Sequence, residues 1–184
     1  MTQSGKAQTW DYQYSINAGK PWVFGNSTII TPQGKPQRLL LSDFGTSFSI
    51  NVDRMIQNKF VDDRWAYHVG ANLGFFKYLD FERGVYNRTN TIGLSGGINN
   101  EDNIFFSLGG NYHWQTREVS GTISLQGILT DVTYDKVPNT AIGRATKGLR
   151  VSAKLEGGII GTGENDYNPY AGINIGIVYQ KPRL

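Results

Sequence analysis

Seven stretches of the chain alternate apolar and polar residues with a period of two, and none of the seven apolar rows contains a charged residue. Successive side chains of a β-strand point to opposite faces, so each row predicts one face of a strand. Several rows continue for about ten residues, which is the length at which a tilted strand crosses a bilayer. The apolar rows lie in the ranges Trp10–Ala18, Phe44–Val52, Trp65–Phe75, Ile104–Trp114, Val119–Leu129, Leu149–Ile159 and Ala171–Tyr179.

This pattern and the turn-forming residues between the rows predict nine strands and no helix. They form one domain over residues 9–180, with tails at 1–8 and 181–184. The predicted strands are Thr9–Gly19, Trp22–Thr31, Gln37–Asp53, Arg64–Phe76, Thr91–Asn99, Ile104–Trp114, Val119–Thr130, Gly148–Ile160 and Pro169–Gln180.

The connections between these strands carry further predictions. Lys20-Pro21 predicts a turn, and the run Leu39–Leu41 predicts a bulge or bend near Ser42. The two longest predicted loops are residues 77–90 and 131–147. A closed bacterial barrel has an even number of strands, so either Trp22–Thr31 is not a full strand or Gln37–Asp53 is two.

The polar rows indicate which face is the interior. They consist mostly of Ser, Gly and Asn, whereas a sheet face washed by solvent would carry many Lys and Glu residues. Small polar side chains suit a crowded interior in which they bond to each other. The pattern therefore predicts an all-β, antiparallel up-and-down β-barrel of about 8–10 strands whose apolar rows face lipid. The alternative is a soluble β-sandwich with the same apolar rows packed in its core.

Aromatic residues stand near the ends of the apolar rows, where a membrane barrel has its interfacial girdles. The predicted girdle consists of Trp10, Trp65, Tyr112, Trp114 and Tyr179.

Composition narrows the classes of function. The net charge of +3 comes from scattered Lys and Arg residues, without the basic stripe of a nucleic-acid-binding protein. The absence of Cys excludes a disulfide framework and Cys-based metal sites, and we expect no cofactor and no metal. The mean hydropathy of −0.38 does not argue against a membrane barrel, because the interior rows and loops of such a barrel are polar.

Two segments resemble bacterial outer-membrane β-barrel proteins. The first is Trp65–Phe75, and the second is Asn168–Gly176, which is similar to part of a closing strand. The resemblance is one of pattern and covers most of the chain. It implies a location in the bacterial outer membrane and lipid as the surrounding partner.

Charged and polar residues in the inward rows predict a network inside the barrel. A buried charge must be paired, so Glu156 is expected to meet Lys154 or Arg150, with Asp11 or Asp53 from other strands. This network is either a set of salt bridges that stiffens a closed barrel or a charged constriction that selects ions. The predicted members are Asp11, Asp53, His68, Asn72, Asn111, His113, Arg150, Lys154 and Glu156.

The two histidines are the only catalytic candidates. His68 or His113 with Ser107, Asp53 or Asp11 has the residue types of a lipid hydrolase. No local motif joins them, and we expect hydrogen-bonding histidines rather than an enzyme.

The sequence thus predicts an outer-membrane barrel with a structural, adhesive or pore-forming role. Loops 77–90 and 131–147 would form its interaction surface for an extracellular or periplasmic protein or glycan. The alternatives are a soluble secreted all-β domain that binds carbohydrate or protein, and a lipid-modifying barrel enzyme that uses His68 or His113.

Overall fold

A computed structural model describes residues 10–56, 65–81, 84–100, 104–131, 149–161 and 167–182. These residues form nine strands and no helix. The strands are β1 (Trp10–Ile30), β2 (Pro36–Phe44), β3 (Thr46–Ile56), β4 (Trp65–Asp80), β5 (Val85–Asn100), β6 (Ile104–His113), β7 (Glu118–Asp131), β8 (Leu149–Gly161) and β9 (Tyr167–Pro182). Accordingly, the described ranges contain no helix long and apolar enough to span a membrane.

Eight of the strands form a closed antiparallel barrel. Each strand from β3 to β8 pairs with the next, and β1 closes the ring by pairing with both β3 and β9. A path of paired residues around the barrel returns to β1 at Trp22, ten residues beyond its start at Tyr12. Eight strands with this stagger are tilted by about 40° from the barrel axis. The path is Tyr12, Arg54, Val69, Gly96, Leu108, Ile123, Gly157, Ala171 and Trp22.

The ninth strand, β2, lies outside this ring. The predicted boundaries of the strands around it are wrong in two places. The first two predicted strands are one strand, because Lys20 and Pro21 continue the β1–β9 ladder instead of forming a turn. The predicted strand Gln37–Asp53 is two strands, and the break lies at Gly45 rather than near Ser42. There the Gly45 N–H leaves the ladder and donates to the Pro21 carbonyl at 2.7 Å.

As a result, β1 and β2 form a hairpin that continues past the barrel wall. The β1–β9 ladder ends at Val23, whereas the β1–β2 ladder runs to Ile30. The turns at residues 31–35, 81–84 and 114–117 lie at the same end of the barrel, here called the hairpin end. The opposite end, here called the terminal end, holds the start of β1 and the end of β9.

The prediction that residues 77–90 form a loop is wrong for most of this range. Strand β4 continues to Asp80 and β5 begins at Val85, and the two strands stay paired up to these residues. Gly84 has a φ of 66°, and its N–H donates to the Asp80 carbonyl at 2.8 Å, so the chain reverses within four residues. Polar and aromatic residues that suggested a loop therefore belong to a hairpin. The second predicted loop, 131–147, lies outside the described residues apart from Asp131, which ends β7.

The two faces of the strands divide apolar from polar residues around the ring. Inward-facing residues such as Asn17 and Ser152 are almost completely buried, at 2% and 0% exposure. Outward-facing residues such as Ile123 and Leu94 are 54% and 72% exposed. The small polar rows thus form the interior, and the apolar rows cover the outside of a closed barrel instead of the core between two packed sheets.

Candidate functional site

The barrel interior is a polar space filled largely by side chains. It leaves a cavity of about 90 Å³, which has room for a few water molecules. Short polar side chains bond to each other across the strands: Asn51 donates to Ser15 at 3.0 Å, and Ser47 donates to Asn174 at 2.9 Å. Six members of the predicted network line this cavity, namely Asp53, Asn72, Asn111, His113, Lys154 and Glu156.

A charged group lies in the middle of the interior. The ammonium group of Lys154 and the carboxylate of Glu156 are 3.0 Å apart, and both side chains are mostly buried. Asp53 reaches the same cavity from β3, where Lys154 attracts its carboxylate. The Asp53 carboxyl lies against the backbone of Gly70, at a point where any Cβ atom would overlap it. The structure therefore joins three of the predicted charges.

Arg150 belongs to a different group near the terminal end. Its guanidinium donates to Gln180 at 3.0 Å, and Gln180 donates to Gln13 at 2.9 Å. This chain links β8, β9 and β1 across the closure of the barrel. Of the two partners predicted for Glu156, the structure shows Lys154. Asp11, the remaining predicted charge, has a side chain outside the described residues.

Each histidine faces a serine inside the barrel. His68 Nε2 is 2.9 Å from Ser107 Oγ, and His113 Nε2 is 2.9 Å from Ser120 Oγ. Within the described ranges neither ring bonds to a carboxylate, which a Ser–His pair needs as its third, orienting member. Nor do the described residues bring three His, Asp or Glu side chains together for a metal ion. The His68–Ser107 pair links β4 to β6 across the intervening β5, and the His113–Ser120 pair links the neighbouring strands β6 and β7.

An apolar cluster closes the interior at the hairpin end. The ring of Phe76 is its centre, with centroid distances of 5.6 Å to both Tyr78 and Tyr170 and 6.1 Å to the imidazole of His113. Tyr78 also carries a polar contact, since its hydroxyl donates to Glu118 at 3.3 Å. This apolar plug consists of Val23, Phe76, Tyr78, Phe81, Ile160 and Tyr170.

The sequence reasoning missed the plug because it ended β4 at Phe76. The inward row of β4 runs through His68, Asn72 and Gly74, and its next members are Phe76 and Tyr78. That change from small polar to large aromatic residues within one row is the signal that could have revealed a closed end.

The outer surface carries aromatic rings at two levels with aliphatic side chains between them. At the terminal end, the rings of Tyr14 and Tyr179 are 6.4 Å apart, and Trp65 is exposed. At the hairpin end, the rings of Tyr112 and Trp114 are also 6.4 Å apart. Four predicted girdle residues thus lie on the outer surface in two groups. The side chain of the fifth, Trp10, lies outside the described residues.

Cations of the outer surface lie beside these aromatic levels. Arg54 lies over the ring of Tyr12, 5.9 Å from its centroid, and Lys77 lies over the ring of Tyr86 at 4.6 Å. The Tyr86 hydroxyl donates to Asp43 at 2.7 Å, and this hydrogen bond raises the pKa of the phenol.

Comparison with known proteins leaves the function to be argued from this geometry. No model of a protein family matches the chain. No curated protein matches it either.

Proposed function

We propose that the chain is a membrane-spanning β-barrel of the bacterial outer membrane, which anchors its projecting hairpins and does not conduct ions. The main support for this proposal is that polar residues face the interior of the barrel and apolar residues face outwards. Polar side chains fill the interior, and the exposed apolar rows surround the barrel between two aromatic levels. This is the residue distribution of outer-membrane barrels, with lipid against the outer face.

The size of the apolar outer face supports lipid as its surroundings. Soluble monomers seldom expose a continuous apolar patch larger than a few hundred Å². Here each of the eight barrel strands contributes large apolar side chains that are about half exposed, including Ile16, Ile50, Leu73, Ile92, Leu108, Ile123, Leu155 and Ile173. In water this surface would drive aggregation, whereas in a bilayer it meets hydrocarbon.

Closure of the interior favours an anchoring or adhesive role over a pore. An eight-stranded barrel is just wide enough for its own side chains, and channels belong to larger barrels. The Lys154–Glu156 ion pair lies inside the barrel, and the plug around Phe76 closes its hairpin end. The charged residues inside the barrel thus stabilise it and do not select ions.

The hairpin end is the proposed surface for a protein or glycan partner. Among the nine described strands, β2 pairs with β1 alone, so the outer edge of their hairpin has backbone groups available for recognition beyond the barrel wall. The β4–β5 hairpin stands beside it, joined by the Tyr86–Asp43 hydrogen bond.

Refolding of the purified chain with and without detergent micelles tests the membrane proposal. We expect folding only with micelles, and a change in gel migration when the folded sample is boiled in SDS. A monodisperse folded protein in plain buffer would contradict the proposal. Conductance across a planar bilayer tests the second part: the folded protein should stay at the background level, and discrete channel openings would favour a pore instead.

A further inference from the structure

Three basic side chains form a row across the outer surface near the hairpin end. Lys77 on β4 and Arg88 on β5 are paired residues of neighbouring strands. Thr46 on β3 is the partner of Lys77, and Lys20 on β1 lies one position beyond the Gly19–Ser47 pair. Lys20 is therefore two strands from Lys77, at a distance of about 10 Å. We call Lys20, Lys77 and Arg88 the basic row.

This row lacks neutralising partners in the described part of the chain. Like charges directly opposite each other in a sheet are destabilising, so the pairing of Lys77 with Arg88 calls for a negative group nearby. Among the described residues, no ion pair joins Lys20, Lys77 or Arg88 to a carboxylate. The carboxylate of Asp43 accepts the Tyr86 hydroxyl, and the ring of Tyr86 holds the ammonium group of Lys77. Within the described ranges, the ammonium group of Lys77 therefore contacts an aromatic ring and forms no ion pair with a carboxylate.

The row also lies where the apolar outer surface ends. Leu73 on β4 and Ile92 on β5 are exposed four residues from the row along their strands, and Trp22 is exposed two residues beyond Lys20 on β1. In a membrane this level meets the headgroups, where negative lipid phosphates attract Lys and Arg side chains.

We infer that the basic row binds the phosphate of an anionic lipid headgroup. This inference rests on the proposed membrane barrel, since it needs the row to lie at a lipid surface. One phosphate between Lys77 and Arg88 removes their repulsion, and the aromatic ring of Tyr86 keeps Lys77 directed along the surface towards it.

The test titrates the folded protein in neutral detergent micelles with phosphatidylglycerol or with phosphatidylcholine, and native mass spectrometry counts the bound lipids. Each basic residue that contacts the phosphate contributes about fivefold to binding of an anionic lipid at that site. The double variant Lys77→Gln/Arg88→Gln should therefore bind phosphatidylglycerol about 25-fold more weakly. Lys77→Arg, which keeps the charge, should bind it like the wild type.

Arg54→Gln is the matched control. Arg54 is an exposed outward cation that lies over an aromatic ring, as Lys77 does, but it lies at the terminal end. This variant should keep the phosphatidylglycerol affinity of the wild type. Phosphatidylcholine binding should be the same for all variants, and an excess of inorganic phosphate should not displace phosphatidylglycerol.

The outcomes separate the two proposals. If the wild type does not fold in micelles, the membrane barrel itself is wrong. If it folds but binds both lipids equally, or if the double variant and Arg54→Gln lose the same affinity, the lipid site is wrong while the barrel stands. Displacement by inorganic phosphate would identify a free-phosphate site and overturn the lipid assignment. Boiling-dependent gel migration of each variant shows that it has folded. Lys20→Gln is a milder substitution in the same row and should weaken phosphatidylglycerol binding by about fivefold.

Discussion

The ring of Phe81, in the turn between β4 and β5, lies directly against the backbone of Gly25 on β1. A Cβ atom at position 25 would overlap this ring, so the two hairpins can approach this closely only because the residue is glycine. The contact ties the projecting β1–β2 hairpin to the plug that closes the barrel.

The first prediction follows from this contact. Gly25→Ala should lower the free energy of unfolding by about 2 kcal/mol, because the added methyl group displaces the ring of Phe81. In Gly25→Ala/Phe81→Ala the overlap is gone, so the double variant should be more stable than the sum of the two single effects. Urea unfolding in micelles measures all three variants. Strictly additive effects would mean that the two residues do not interact.

A second prediction concerns the plug. Phe76→Ala should cost about 3–5 kcal/mol, because it leaves a cavity among the rings of Tyr78 and Tyr170. Phe106→Ala removes the same side chain from the outer surface of the barrel, where Phe106 is 43% exposed. It should therefore cost clearly less in the same unfolding measurement. Equal losses would show that Phe76 does not pack inside the barrel.

A third prediction separates bilayer from water around the barrel. Ile123 and Val119 lie on one outward face of β7, Ile123 near its middle and Val119 close to the hairpin end. In lipid, Ile123→Arg should cost about 2–4 kcal/mol and Val119→Arg about 1 kcal/mol or less. Both sites are exposed, so in a water-soluble barrel neither change would matter much. Unfolding in vesicles gives the two values, and two equal, small costs would argue against a membrane-spanning barrel.

The fourth prediction tests the internal ion pair. Glu156→Gln should destabilise the barrel by about 3 kcal/mol, because it leaves the ammonium group of Lys154 mostly buried with a weaker partner. Replacement of Lys154 and Glu156 by Met, together with Asp53→Asn so that the Asp53 carboxylate does not lose its cation, should restore most of this loss, since a buried ion pair is often no better than apolar side chains of similar size. The unfolding midpoint of the two variants in urea decides this, and a triple variant less stable than Glu156→Gln would contradict the explanation.

The faces of the strands were predictable from the sequence, whereas their ends were not. The alternation of Ile123 with Ser124 depends only on backbone geometry, and so the all-β class and the division into two faces follow from it. Strand ends depend on tertiary partners. The ladder continues through Pro21 because that residue contributes its carbonyl to Gly45, a contact between positions 24 residues apart in sequence.

Prediction of the contacts inside the barrel also requires the stagger, which is the offset between neighbouring strands around the ring. Residue type and strand face place Arg150, Lys154 and Glu156 inside, but which partners they meet depends on how far the strands slide past each other. With the ten-residue stagger, Arg150 reaches Gln180 on β9. The Lys154–Glu156 pair lies within β8 and does not depend on the stagger, which is why the sequence could name it as one of two possible pairings. Sequence alone does not specify this offset, since neighbouring registers that differ by two residues preserve every face.

The ladder between β1 and β9 sets the order of events during folding. It pairs Ile16 with Ile177 and Gln13 with Gln180, so the ring cannot close before almost the entire chain has been synthesised. Contacts between such distant positions form slowly, because a long loop must close before they contribute stability. Until then, β1 is held on one side by its local hairpin partner and has an open edge on the other, which is an opportunity for aggregation. This topology makes a holding chaperone most useful during the interval before the last strand arrives.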